Sequence, residues 1–123
     1  MILLAVGATA SAKLVQTKVY MFGMAASFND STAYFTDVQE VDAWISDKGK
    51  FLYSRENYSY QLRDYLQSQG FANATCITCF ALSRKKAEKK YATLLKKSAV
   101  RGDANVRYLK ESEFKYDAIV PEK

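Results

Sequence analysis

The chain has 123 residues, of which 49% are hydrophobic and 14% aromatic, and its formal net charge is +5 at pH 7. That length suffices for one hydrophobic core and is short for two, and the apolar content excludes an intrinsically disordered chain. The sequence contains no histidine. It therefore lacks the imidazole on which Ser-His-Asp and Cys-His hydrolases, HExxH metalloproteases and most catalytic zinc sites depend.

Other catalytic signatures are also missing from the sequence. No Gly-x-x-x-x-Gly-Lys loop is present to cradle phosphates. The acidic residues, among them Asp30, Asp37, Glu40 and Asp42, are scattered singly rather than paired as glycosidases require. We therefore predict a protein that is not an enzyme, with no catalytic, cofactor-binding or metal-binding residues. A carboxylate- or tyrosine-dependent enzyme remains an alternative.

The first twelve residues, MILLAVGATASA, carry no charge and end in small residues. An apolar run followed by Ala10-Ser11-Ala12 is typical of the hydrophobic region and cleavage site of a signal peptide, and it is too short to span a bilayer. No Lys or Arg precedes the run, as expected if the printed start lies downstream of the true one. We predict a signal peptide at residues 1–12 and a single exported domain at residues 13–123.

Two other interpretations of this N-terminal segment stay open. It would form a buried first strand if the protein were cytoplasmic. The stretch ILLAVGATASAKLV is also similar to the strand–turn–helix opening of dinucleotide-binding dehydrogenases, but that motif needs three glycines and only Gly7 is present.

Patterning along the first half predicts two strands and a loop. Residues 18–28 are rich in β-branched, aromatic and small side chains, which favours a strand. The turn-forming triplet at residues 29–31 separates it from a second strand, or a strand with an extension, over residues 32–44. Residues 47–50 read as a loop.

Helical spacing begins after this loop. A stripe of large side chains predicts a helix with its stop at Gly70; the stripe consists of Tyr58, Leu62, Tyr65 and Leu66. Ser54 or Asn57 would cap its start.

The second half predicts a strand, a helix and a last strand. The apolar run over residues 74–82 is typical of a strand that is covered on both faces or central in its sheet. Ser83 is a good cap for a helix from Arg84 to about Ala99, and the last strand lies within residues 106–120. The order β-β-α-β-α-β predicts an α+β fold, a two-layer sandwich of a mixed four-stranded sheet and two helices.

Two stretches resemble a group of small exported bacterial proteins of unknown function. They are FGMAASFNDSTAYFTDVQEV at residues 22–41 and FLYSRENYSYQL at residues 51–62. The resemblance covers most of the predicted mature chain. It implies export, but it implies no activity and no functional residue.

The only two cysteines, Cys76 and Cys79, stand three residues apart inside the predicted strand. On a strand their Cα atoms would be about 10 Å apart and their side chains would point to opposite faces, whereas a disulfide needs Cα atoms within about 7 Å. A redox thiol also needs a helix N-terminus to lower its pKa, and residues 80–82 intervene before the helix. We predict structural cysteines rather than a redox or metal site.

The helix after Ser83 has a strongly basic outer face. Residues 84–110 hold ten Lys/Arg and two Asp/Glu, giving +8. At 100° per residue, six lysines fall on the side opposite the apolar stripe: Lys85, Lys86, Lys89, Lys90, Lys96 and Lys97. Such a face either is solvated surface or binds a polyanion by counterion release, without the arginine forks or aromatic rings of specific recognition.

The aromatic excess and the missing catalytic groups predict a small exported binding module. Its partner would be a protein, a peptide or a glycan, reached through the exposed aromatics Tyr53 and Tyr60 or a sheet edge. The alternative is a binder of nucleic acid or an anionic envelope polymer through the six lysines.

Export has a direct test. Protein isolated from its native host is expected in the envelope or the medium, with an N-terminus at or near Lys13, because signal peptidase cuts after small residues such as Ala12. N-terminal sequencing of each cell fraction measures both. An intact Met1 chain in the cytoplasm would contradict the prediction.

Overall fold

The computed structural model describes residues 13–27, 30–100 and 105–121, so the predicted signal peptide lies outside the described residues. The described elements, in chain order, are β1 (Leu14–Ser27), β2 (Asp30–Thr36), β3 (Gln39–Ser46), α1 (Arg55–Ser68), β4 (Thr75–Ala81), α2 (Arg84–Val100) and β5 (Asn105–Leu109). The predicted α+β class, with two helices and a mixed sheet, is confirmed. Neither of these helices is long and apolar enough to cross a membrane.

Strand β1 is the centre of the sheet because it pairs with three other strands. Tyr20 has partners in both β3 and β4, and Ala25 has partners in both β2 and β4. A strand residue has one neighbour on each edge, so β4 occupies one edge of β1, and β2 and β3 share the other. Strand β5 then pairs in parallel with β2, while the three pairings of β1 are antiparallel.

The sheet has five strands rather than the predicted four, because the second strand divides into β2 and β3. The break falls at Asp37 and Val38. Just before it, the Thr36 hydroxyl accepts the N–H of Gly23 at 2.9 Å and donates to the Asp37 carbonyl at 3.0 Å. A side chain thus replaces a backbone partner of β1 at this point, and the strand resumes at Gln39.

The two helices cover opposite faces of the sheet, so the structure has three layers where two were predicted. Met21 lies in the core cluster with Leu62 of α1, whereas the ring of Phe22 meets that of Tyr91 in α2 at a centroid distance of 5.2 Å. Neighbouring strand residues point to opposite faces. The crossover from β3 to β4 and the crossover from β4 to β5 run in opposite directions across the sheet, and right-handed connections then place their helices on opposite faces.

Helix α1 forms for the reasons that its sequence suggests. Tyr58, Leu62 and Leu66 are buried against the sheet at helical spacing. At the C-terminal end, Gly70 has a φ of +92°, and Phe71 donates its N–H to the Leu66 carbonyl at 2.9 Å. This is the left-handed glycine termination that was predicted. Neither predicted side-chain cap forms: Ser54 stands at the cap position but its hydroxyl accepts no backbone N–H there, and Asn57 lies inside the helix, where its amide donates to the Ser54 hydroxyl at 2.6 Å.

The C-terminal segment, residues 110–121, is held to the core by a buried glutamine. The Gln39 amide donates to the Phe114 carbonyl and accepts the Tyr116 N–H, both at 2.8 Å. Gln39 is fully buried. Each of these hydrogen bonds satisfies a buried backbone group. Without its partner, each group would be left unpaired, which would cost about 1–3 kcal/mol.

Helix α1 holds the same segment from the other side. The Gln61 amide donates to the Asp117 carbonyl at 3.0 Å and accepts the Asp117 N–H at 2.9 Å. The Tyr58 hydroxyl accepts the N–H of Ile119 at 2.9 Å. Side chains, rather than a strand partner, therefore fix the last part of the described chain over α1.

Close packing between this segment and β1 explains a glycine. A Cβ at Gly23 would overlap the Tyr116 hydroxyl and come within 2.8 Å of Leu62 Cδ2. The Tyr116 hydroxyl is buried and has no hydrogen-bond partner among the described residues; the nearby Thr78 hydroxyl is bonded to Ser59 at 2.7 Å. Burial raises the pKa of the Tyr116 hydroxyl well above its usual range.

Gly23→Ala is expected to lower the free energy of unfolding by about 1–3 kcal/mol, since the added methyl group overpacks the core. Tyr116→Phe alone is expected to leave it unchanged or raise it, because an unpaired buried hydroxyl is removed. The double variant should recover part of the loss, and urea unfolding of all four proteins measures the coupling. Strict additivity of the two changes would contradict the contact.

Candidate functional site

As predicted, the lysine face of α2 is on the surface of the protein. Ala87 and Ser98 are fully buried on the inner side, while Lys85, Lys86, Lys89, Lys90, Lys96 and Lys97 are all exposed. The Ser83 hydroxyl caps the start of the helix by accepting the Lys86 N–H at 3.2 Å. Within the described part of the chain, no carboxylate forms an ion pair with any of the six lysines. Their charge is therefore available to a ligand.

Two of these lysines meet two other cations at one end of the sheet. We name this group the basic corner, and its members are Lys50, Arg55, Lys86 and Lys90. They line a depression of about 330 Å³ whose other walls are Gly49, Phe80, Ala81 and Leu82. No acidic side chain lines the depression. Four positive charges around one small volume favour an anion there.

The basic corner is built on the open edge of β4, which pairs only with β1 among the described strands. The Arg55 Nε donates to the Thr78 carbonyl and the Lys90 Nζ donates to the Phe80 carbonyl, each at 2.9 Å. These carbonyls point away from β1, because alternate residues of an antiparallel edge strand turn their backbone groups outward. Both cations are thus anchored to the strand edge rather than free in solvent.

The sequence pattern identified Lys86 and Lys90 but missed Lys50 and Arg55. The helical projection finds only residues on one helix, and the missed pair lies in the loop after β3 and at the start of α1. The one local signal was the predicted loop at residues 47–50, which contains two lysines.

Cys76 and Cys79 lie on β4 and point to opposite faces, as predicted. Cys76 is aligned with Ala25 and Cys79 with Phe22 on β1, and both thiols are free. Burial raises the pKa of the Cys76 thiol to about 11 and also raises the pKa of the Cys79 thiol. A redox cysteine needs a lowered pKa, so the geometry and the electrostatics both favour a packing role.

The two tyrosines predicted to bind a partner are not brought together by any contact of the described residues. Tyr53 is half-buried, and its N–H donates to the Trp44 carbonyl at 2.9 Å. Tyr60 is 43% exposed, but the Arg63 guanidinium lies over its ring, 4.4 Å from the centroid. Tyr60 is thus on the surface as expected, whereas Tyr53 offers a partner little area.

A second depression, of about 420 Å³, brings together acidic residues that are distant in the sequence. Its side chains are those of Asp37, Val38, Arg84, Glu88, Tyr91 and Glu111. The Asp37 carboxylate accepts the Glu111 N–H at 3.1 Å, so one acid is already engaged in holding the chain after β5. Burial, Tyr108 and Asp37 raise the pKa of the Tyr91 hydroxyl.

Within residues 13–27, 30–100 and 105–121, no cluster of three or more Cys, Asp or Glu side chains has the arrangement to hold a metal ion. Comparisons with models of known protein families, with curated proteins and with solved structures found no match for this chain. The physical properties of these surfaces therefore carry the functional conclusion.

The cysteine pKa values predict slow alkylation in the folded protein. In a Cys79→Ser variant, Cys76 should react with iodoacetamide at neutral pH about 100-fold more slowly than after unfolding in guanidinium, because a rise from 9.0 to about 11 removes that much thiolate. The rate should climb as the pH approaches 11, and mass spectrometry follows it. Equal rates in the folded and unfolded states would contradict a buried structural thiol.

Proposed function

We propose that this protein is a non-catalytic binding module for an anionic polymer, either a nucleic acid or an anionic envelope polymer, which it contacts through the lysine face of α2 and the basic corner. The observation that carries the proposal is the convergence of Lys50 and Arg55 with Lys86 and Lys90 around one depression without an acidic wall. A solvated lysine face alone does not require such convergence. These side chains would release counterions condensed on the polymer as they neutralise its charged groups.

The proposed contact is electrostatic and independent of sequence. Seven of the eight cations that make up the lysine face and the basic corner are lysines, which act as point charges rather than as the planar forks that read phosphate geometry. The exposed face of α2 carries no aromatic side chain on which a base could stack; Tyr91 points to the sheet. Binding should therefore depend on charge density and salt more than on the order of units in the polymer.

Export of the domain remains a proposal beside this one, and the partner would then be an anionic polymer outside the cytoplasm. A protein, peptide or glycan partner at Tyr53 and Tyr60 has less support, because Tyr53 is half-buried and Arg63 covers the Tyr60 ring. If Tyr60→Ala weakened a detected partner while lysine substitutions did not, the aromatic surface would be preferred.

The acidic depression is the specific observation that favours a second candidate, a carboxylate- or tyrosine-dependent enzyme. Glu88 and Glu111 converge there with Tyr91, and paired acids next to a hydroxyl can transfer protons. Hydrolysis of a panel of chromogenic esters and glycosides, lost in Glu88→Gln, would support it. No turnover by the unmodified protein would reject it for those substrates.

Salt dependence tests the proposed function. With about four phosphates contacted, the affinity for a fluorescent duplex oligonucleotide should fall with salt at a log–log slope of about −3 to −4. Lys85→Gln combined with Lys89→Gln should make the slope shallower by about 2, since two contacts are lost. Fluorescence anisotropy across a salt series measures both quantities.

The matched control is Lys110→Gln combined with Lys115→Gln, which removes the same charge from the C-terminal segment. It should leave the slope nearly unchanged. A flat salt response of the unmodified protein, or equal losses in the two double variants, would reject the lysine face as the binding surface.

A further inference from the structure

We propose that the basic corner is a discrete site for a terminal phosphate group, held against the open edge of β4, and not merely one end of a diffuse positive surface. This inference rests on the proposed function and adds to it a chemical group and a location. The ligand is a phosphomonoester or diphosphate, whether free or at the end of a polymer.

The edge of β4 supplies backbone donors beside the cations. A strand residue directs its N–H and its carbonyl to the same edge, so Thr78 and Phe80, whose carbonyls accept side-chain donors, also direct their N–H groups away from β1. The opposite orientation of Gly23 supports this alternation, since its N–H points to Thr36 on the other edge of β1. The Phe80 N–H therefore faces the depression that Phe80 lines.

The two anchored cations keep donors free for a ligand. Arg55 uses its Nε on the Thr78 carbonyl, which leaves the two terminal guanidinium nitrogens available. Lys90 uses one of three ammonium protons on the Phe80 carbonyl. Because these bonds already fix the long side chains, less conformational entropy is lost when an anion binds than at free surface lysines.

Helix α2 adds to the positive potential at this place. It begins at Arg84, between Leu82 and Lys86, which both line the depression, and its first turn contains no acidic residue. The backbone N–H groups at a helix N-terminus carry a partial positive charge that favours an anion. Lys86 of the same turn completes the set of cations.

Charge and size together favour a phosphate ester over a carboxylate. Four formal positive charges surround a volume of about 330 Å³ with no acid in its wall. A phosphomonoester carries close to two negative charges at neutral pH and presents three oxygens. It can therefore engage the Arg55 fork, the ammonium groups and a backbone N–H at once, whereas a single carboxylate has two oxygens and one charge.

Nuclear magnetic resonance locates the site. Titrating the ¹⁵N-labelled full chain with pyrophosphate is expected to shift the amide signals of Phe80 and Ala81 and the side-chain signal of Arg55 Nε most. The amides around Lys96 and Lys97, on the same helix but away from the depression, should move little. Shifts spread evenly along α2 would overturn the proposal.

Two charge-matched double variants distinguish a discrete binding site from a diffuse positive potential along α2. Lys50→Gln with Lys86→Gln should weaken pyrophosphate binding by about tenfold or more, because two charge-assisted hydrogen bonds are lost. Lys96→Gln with Lys97→Gln removes the same charge and should change the dissociation constant by less than about twofold. Equal effects of the two pairs would overturn the proposal.

Arg55→Lys tests whether the planar guanidinium binds the phosphate. The variant keeps the positive charge and a donor that can reach the Thr78 carbonyl. It is expected to weaken pyrophosphate binding several-fold with little change in the urea unfolding midpoint, because a lysine cannot present two parallel donors. Unchanged affinity in this variant would count against bidentate binding by Arg55.

Single-stranded oligonucleotides with and without a 5′-phosphate distinguish a polymer end from a free phosphate compound. Tighter binding of the phosphorylated strand, lost in Lys50→Gln with Lys86→Gln, would assign the site to polymer ends; pyrophosphate binding without that preference would assign it to free phosphates.

If the duplex shows the expected salt slope but neither phosphate probe shifts Phe80, the discrete site is rejected and the proposed function stands. If pyrophosphate binds at Phe80 but no polymer binds, the proposed function is rejected instead.

Discussion

The backbone pairing of β1 on both of its edges is the constraint on which the rest of the structure depends. Strands β3 and β4 both run antiparallel to β1, so both end toward the half of the sheet where β1 begins, β3 opposite Leu14 and β4 opposite Tyr20. The loop that follows β3 and the helix that follows β4 consequently meet at that end of the sheet, where Gly49 lies against Leu82. Lys50 and Lys86 are neighbours for this reason, although they are far apart in the sequence.

The same pairing leaves the outer edge of β4 without a strand partner among the described residues, and side chains cover it instead. An exposed edge strand can pair with another copy of the chain and aggregate, and charged side chains on the edge discourage this. Arg55 and Lys90 occupy two outward carbonyls of β4, those of Thr78 and Phe80, where a competing strand would otherwise donate its N–H groups. Protection against aggregation and a concentration of positive charge thus come from the same two residues.

The local parts of the fold were predictable from the sequence, and the long-range parts were not. The limits of α2, its buried stripe and its lysine face follow from a period of 3.6 residues, and the end of α1 follows from Gly70. The helices were wrongly placed on one face because layer assignment depends on strand order, which no local pattern encodes.

The division of the second strand and the composition of the site were missed for related reasons. Thr36 and Gln39 are polar residues that a strand pattern accepts on its solvent face, yet both are fully buried because they bond to Gly23 and to the C-terminal segment. Likewise, Lys50 and Arg55 look like ordinary surface cations until the sheet brings them beside α2. In each case the decisive partner lies at least 13 residues away in the sequence.

The attachment of the C-terminal segment also has a consequence for synthesis on the ribosome. The core between α1 and the sheet includes Phe114 and Tyr116, and the Tyr58 hydroxyl accepts the N–H of Ile119 only once that residue has emerged. While these residues are still inside the exit tunnel, strands β1 to β4 can pair, but part of the surface of α1 is left uncovered. The domain therefore cannot close its core until the chain through Ile119 has left the tunnel, and until then it presents the apolar side of α1 to chaperones.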